Sequence, residues 1–385
     1  MASPQRSARR QGRAASLGQR RPAASLRSQG CRRPRAAGAG DPSRGVSVSP
    51  AKRLVLVLAV LTAALIVIAA SALFVGSAAI SPRAVLNALA GRAAPESVER
   101  VVTLSIRLPR IVVAALAGGA LAVAGVAFQA LTRNPLAEPS VLGVTSGAAF
   151  GVVIGQSVGL GWTFLEAAGL TAFAFAGALL AAGLVYLIAA IGRELSIQTL
   201  LLAGVIVGIF FSAAITVIIS FLDLNRLGGV IHWLLGNLAP IPPRALGVFA
   251  LCAGAGFWLV ARHARELNLM ALGEETALLL GVGAARLKLA IFVGAALLTA
   301  SVVAFAGPIG FVGLIVPHAL RMLLGSDNRL LVPASLVGGG IFLLLADTLA
   351  RNVVAPAELS VGVITALCGA PFFVYLLRTR YRPNL

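Results

Sequence analysis

Between residues 54 and 378 the chain is a succession of apolar runs separated by short polar breaks. The runs fall at 54–75, 111–132, 146–161, 167–191, 198–221, 244–262, 287–306, 310–325, 329–350 and 359–378. About 20 apolar residues carry a helix across a bilayer. None of the runs shows the period-2 alternation of a strand in a membrane barrel. Helices and closed barrels are the two structures that satisfy every backbone polar group in lipid. The pattern therefore predicts an all-α polytopic membrane protein of about ten transmembrane helices.

One break is unlike the others. An apolar helix of small residues starts after Arg107 and Arg110 and ends in Arg133-Asn134-Pro135-Leu136-Ala137-Glu138-Pro139. A Gly-rich apolar run then begins. Two prolines cannot continue a helix, and the break leaves an acid where the chain turns. Backbone freed at membrane depth persists where it is buried in protein or lines a wet path. The segment therefore points to a transport machine rather than an anchor. A second polar stretch, 263–288, is too polar to span. Leu269, Leu272, Leu278, Leu279 and Leu280 mix there with Glu274 and Glu275, and Gly281 and Gly283 close the pattern. This predicts a short helix pair presenting a surface. A helix lying on lipid usually carries a basic polar face; acids at the centre favour a protein partner.

Composition agrees with the pattern. The chain is 58% hydrophobic and 12% charged, against about 25% charged in soluble domains. Residues 1–53 hold thirteen Lys/Arg and one acid, Asp41, and so supply +12 of the formal +19. That segment lacks any hydrophobic period, and residues 1–50 are expected to be a disordered basic tail, with the membrane domain at 51–385. Nucleic-acid binding is not expected of it. Placing the tail inside puts both termini in the cytoplasm. With the tail set aside, the inner loops hold 11 Lys/Arg and the outer ones 8, five of them in the first outer loop. Outer cations against the usual bias suggest an anionic partner for Arg107, Arg110 and Arg351. Arginines reaching to lipid headgroups, or an i,i+4 pair of Asp347 with Arg351, would explain them equally well.

Several chemistries are excluded. The chain has two lysines, Lys52 followed by Arg53 and Lys288 followed by Leu289, so no phosphate-binding GxxxxGK[ST] loop exists. Of thirteen acids only Asp347 lies within a long apolar run, too few for the proton relay of an ion-coupled carrier. That carrier is the alternative function class. Cys31, Cys252 and Cys368 are far apart, and His232, His263 and His318 lack ligand spacing. No catalytic site, cofactor or metal site of its own is expected, and energy should come from another subunit.

These residues match a known pattern. Arg107-Leu108-Pro109-Arg110, Gln129, NPLAEP at 134–139, LGVTSGA at 142–148, LLLAGV at 200–205, HWLLGNL at 232–238, LNLMALGEETALLLGV at 267–282, GPIGFVGLIVPHALR at 307–321, LLLADTLAR at 343–351 and GVITALCGAPFF at 362–373 occur in order. The chain resembles the permease subunits of ABC importers for iron–siderophores, haem and vitamin B12. The resemblance covers residue 52 to the C-terminus. It implies ten helices per subunit in the cell membrane, a second permease subunit, two copies of an ATPase subunit and an extracytoplasmic substrate-binding protein. It also implies site residues. Leu272, Gly273, Glu274, Glu275, Leu280 and Gly281 would couple to the ATPase. Arg107, Arg110 and Arg351 would dock the binding protein. Asn134, Leu136, Ile197 and Gln198 would narrow the path on the cytoplasmic side. Ferric siderophore is the first expectation for cargo, with haem and cobalamin next. Ser360 after Glu358-Leu359 departs from the usual proline, and Cys368 stands where a branched aliphatic is commoner.

Overall fold

Small side chains set the architecture. In the computed structural model, which describes residues 49–380 apart from 77, 79, 161–163, 192–193, 240 and 356, the most enclosed helix is α3, Val98–Thr132. Its sequence from Ala114 to Gln129 is Ala, Gly and Val with few larger residues, and nearly all of it is buried. A helix apolar on every side belongs in a core. Without a hydrophobic force between helices in lipid, close backbone approach supplies the packing. A methyl group at Gly118 would overlap the Gly339 carbonyl of α13 (Asn328–Asn352), and one at Gly125 would overlap the Gly313 carbonyl of α12 (Val312–Leu324).

The other helices wrap this centre. They are α1 Pro50–Phe74, α2 Pro82–Leu89, α4 Val144–Ser157, α5 Phe164–Ala189, α6 Ile197–Ile219, α7 Leu224–Leu234, α8 Pro243–Arg262, α9 Ala264–Ala271, α10 Glu274–Leu279, α11 Ala284–Ala306 and α14 Val361–Arg380. Each of the ten apolar runs coincides with a helix. Among the described residues, seven helices are long and apolar enough to cross a membrane. At 1.5 Å per residue, α4 and α12 reach only about 20 Å, against a hydrocarbon thickness of about 30 Å. Chain outside the α-helices, 133–143 and 307–311, precedes each of them. Among the described residues the only strands are a two-residue antiparallel pair, Ala190–Ile191 with Glu194–Leu195, in the turn before α6. The expected tail at 1–50 lies outside the described residues up to Val48, and α1 begins at Pro50 with Ser49 as its cap.

One boundary is corrected. The sequence predicts a helix starting at 111, after the two arginines. The helix instead begins at Val98, and Arg107 and Arg110 lie within it. Pro109 has no N–H to give the preceding turn. The stretch just before it, Val101–Arg107, is π-helical, a wider register that appears where the α ladder is interrupted.

Candidate functional site

The two irregular segments meet inside the bundle. Gly313 packs on Leu121 and Gly125 of α3, so the start of α12 lies inside the bundle. There Phe311 adopts a left-handed backbone, φ 68°, and its N–H donates to Glu138 Oε1 at 2.6 Å. Such a conformation is costly for a bulky residue and persists only where surroundings impose it. Glu138, from the Pro135–Pro139 break, supplies that restraint. Gln129 Nε2 donates to the Gly313 carbonyl at 3.1 Å, and Arg321 Nη2 donates to Gln129 Oε1 at 2.8 Å. The freed backbone is thus satisfied by side chains of the break and of α3.

Beside this junction lies a cavity of about 660 Å³ lined by Asn134, Leu136, Glu138, Leu202, Val205 and Phe373, among others. The Leu136 N–H donates to Asn134 Oδ1 at 3.0 Å, a local turn that fixes both residues. Two of the four expected narrowing residues, Asn134 and Leu136, therefore share one cavity wall. Ile197 and Gln198 stand at the start of α6 outside that lining, whose α6 contribution is Leu201, Leu202 and Val205. A larger cavity, about 790 Å³, opens between α5 and α8. It is almost wholly apolar and contains none of the motif residues.

At the same end as Asn134, the 263–288 stretch forms α9 and α10 about Gly273, whose φ of 124° suits glycine alone. Leu272, Leu278 and Leu280 are exposed, and Leu279 is 89% exposed. The pair is held to the bundle at two points. Asn268 donates to Asp327 Oδ1 at 2.6 Å and accepts from the Asn328 backbone N–H at 2.9 Å. Buried Lys288 donates to Glu274 Oε1 at 2.5 Å and to the Leu195 carbonyl at 3.4 Å. Lys288 joins α10 to the strand pair that precedes α6. Sequence reasoning missed this role; one of only two lysines in the chain, next to an acidic helix pair, was the available signal.

At the opposite end the three arginines are buried. Arg107 donates to the Leu73 and Ala78 carbonyls at 2.7 and 2.6 Å. Arg110, 6% exposed, donates to Asp347 Oδ1 at 3.0 Å and Glu358 Oε2 at 2.7 Å. Arg351 Nε lies 3.1 Å from Asp347 Oδ2, an ion pair without hydrogen-bond alignment. The three arginines expected to dock a binding protein are thus engaged within the chain itself. A buried charge needs partners: Asp347 serves Arg110 and Arg351, Glu358 serves Arg110, and backbone carbonyls serve Arg107. The i,i+4 pair that sequence spacing allowed is present.

The FecCD transport family matches residues 61–379. The chain is 42% identical to the uncharacterized ABC transporter permease protein YvrB of Bacillus subtilis, covering 73% of this chain and 80% of that one. It is 43% identical to the cobalamin import system permease protein BtuC of Halobacterium salinarum (74% and 75%). It is 40% identical to the hemin transport system permease protein HmuU of Yersinia pestis (71% and 82%). A solved chain described as a metal-chelate type ABC transporter in an inward-facing conformation superposes with a TM-score of 0.71 at 32% identity, over 85% of this chain and 99% of the other.

Proposed function

Because this chain belongs to the FecCD transport family, we propose that it is the membrane-spanning subunit of an ATP-driven importer of a metal chelate, ferric siderophore first, with haem and cobalamin as the other candidates. It is a multi-pass membrane protein. The observation that carries the proposal is the pairing of a path-like cavity with an exposed apolar helix pair clipped to the same end of the bundle. In this reading both termini are cytoplasmic and α9–α10 docks on a separate ATPase, one per permease subunit. The cavity is open on the side of Leu202 and Val205, both exposed. A second permease subunit set against α6 would close it.

Docking of an extracytoplasmic binding protein takes a narrower form than free arginines would allow. Glu358 is 40% exposed and already occupies Arg110. A partner carboxylate would replace Glu358 on that guanidinium, while Asp347 stays buried between Arg110 and Arg351.

Reconstitution tests the whole reading. The full chain, co-purified with its ATPase and placed in proteoliposomes, should take up chelate only with ATP and binding protein, and the chain alone should hydrolyse none. Uptake that survives destruction of the ATPase site but stops with an uncoupler would instead establish an ion-coupled carrier.

A further inference from the structure

A third cavity, about 390 Å³, lies at the Asn134 end between α3, α12, the start of α13 and the end of α9, where Ala271 lines it. Its lining includes Gln129, Arg133, His318, Arg321, Met322 and Asn328. Two arginines and a histidine line one space with the amides of Gln129 and Asn328, which are engaged with Gly313, Arg321 and Asn268, and among the described residues no carboxylate lines it. Gln129, His318 and Asn328 are buried. Arg133 adopts a left-handed backbone, φ 50°, at the end of α3, a pose costly for a side chain this long. The volume falls within the range of small-ligand pockets.

The rim is of a different character. Met322 and its neighbour Leu323 are exposed apolar side chains on the last turn of α12. Arg53, at the start of α1, donates to the Leu324 carbonyl at 2.9 Å, which brings the cationic end of α1 to the same edge. A pocket lined by two arginines with an apolar lip matches an amphiphile with an anionic head. Basic pockets between transmembrane helices on the cytoplasmic side suit phosphate headgroups, and Arg is the side chain best shaped for phosphate oxygens.

We propose that this cavity binds the headgroup phosphate of an anionic phospholipid of the inner leaflet, with Arg133 and Arg321 on the phosphate and an acyl chain over Met322 and Leu323. The leaflet rests on the orientation proposed above; the binding itself does not. A lipid there would tie the end of α3, which leads into the Asn134–Leu136 wall, to α12 and α13.

The test uses the purified full chain in neutral detergent and requires neither transport nor an ATPase, so it stands apart from the importer reading. Short-chain phosphatidylglycerol, phosphatidylcholine and inorganic phosphate are titrated separately, with melting temperature and mass-spectrometric adducts as readouts. Phosphatidylglycerol should stabilise the wild type and be retained, and phosphatidylcholine should not. Arg133→Asn tolerates the left-handed backbone, and Arg321→Gln keeps an N–H for Gln129. Each should weaken apparent phosphatidylglycerol affinity about five-fold, whereas Arg83→Gln at the other end should leave it unchanged. Equal effects of the two lipids would overturn the proposal. So would displacement of the lipid by millimolar inorganic phosphate, which would make the pocket a free-anion site. If Arg321→Gln does not fold, an Arg133→Asn variant with wild-type lipid affinity is by itself sufficient refutation.

Discussion

Replacing Asp347 with Asn should be among the most damaging single changes at the Arg110 end of the bundle. Asp347 is 0% exposed and lies between Arg110 Nη2 at 2.9 Å and Arg351 Nε at 3.1 Å. Arg110 keeps Glu358 at 2.7 Å after the change. Arg351 loses its ion pair with Asp347 and is left with the more distant field of Glu358. Breaking a buried ion pair from one side costs about 3–5 kcal/mol, because the remaining charge is stranded. Total stabilities are only about 5–15 kcal/mol, so a loss of that size should be plain in equilibrium unfolding of the full chain in bicelles. Removing both partners tells a different story. Replacing a buried pair by apolar groups is often neutral or even stabilising. The Arg351–Asp347 contact also lacks hydrogen-bond alignment, so little is lost with it. Asp347→Asn combined with Arg351→Met should therefore be more stable than Asp347→Asn alone. The reasoning is refuted if Asp347→Asn costs less than about 1 kcal/mol, or if the double variant equals the sum of the singles to within about 0.5 kcal/mol, the additivity of independent sites.

Other expectations follow from the same geometry. Glu358→Gln should cost at most about 1 kcal/mol of stability, since the pair is part exposed, yet tighten binding-protein docking by freeing Arg110; unchanged affinity in a pull-down titration would rule out carboxylate exchange. Gly125→Ala should destabilise by about 1–3 kcal/mol through overpacking against residue 313. Gly183→Ala, which meets open space, should be neutral or stabilising by the roughly 1 kcal/mol helix preference of alanine; the contrast is read by unfolding both variants. Lys288→Met should spare folding and basal ATPase activity of the assembled transporter but lower the cargo transported per ATP, with Lys288→Arg restoring part of it. A Lys288→Met transporter with the wild-type ratio would show that the Glu274–Lys288–Leu195 link carries no motion.

The resemblance of ordered motifs and the ten apolar runs were legible because both are local. Glycines and alanines at 114–129 announce a buried helix whatever they touch, and the Gly273 centre of the acidic stretch announces a turn between two short helices. The site was legible in part. Asn134 and Leu136 reached the cavity because one short turn fixes both. Ile197 and Gln198 did not, because which turn of α6 faces the cavity depends on how that helix packs.

The sequence by itself determined what each segment is: a membrane-crossing chain, broken at Pro135–Pro139, without a GxxxxGK[ST] loop, and with an acidic helix pair between two of the apolar runs. Hydropathy, proline chemistry and residue counts act over a few neighbours, so they need no fold. The tertiary structure alone decided who meets whom. Glu138 restrains Phe311 across 173 residues, Arg110 takes Asp347 and Glu358 across 237 and 248, and Lys288 joins Glu274 to Leu195. A buried charge or a freed backbone N–H has to find a partner, but its identity is set by helix packing, and that packing rests on which glycines let two backbones touch.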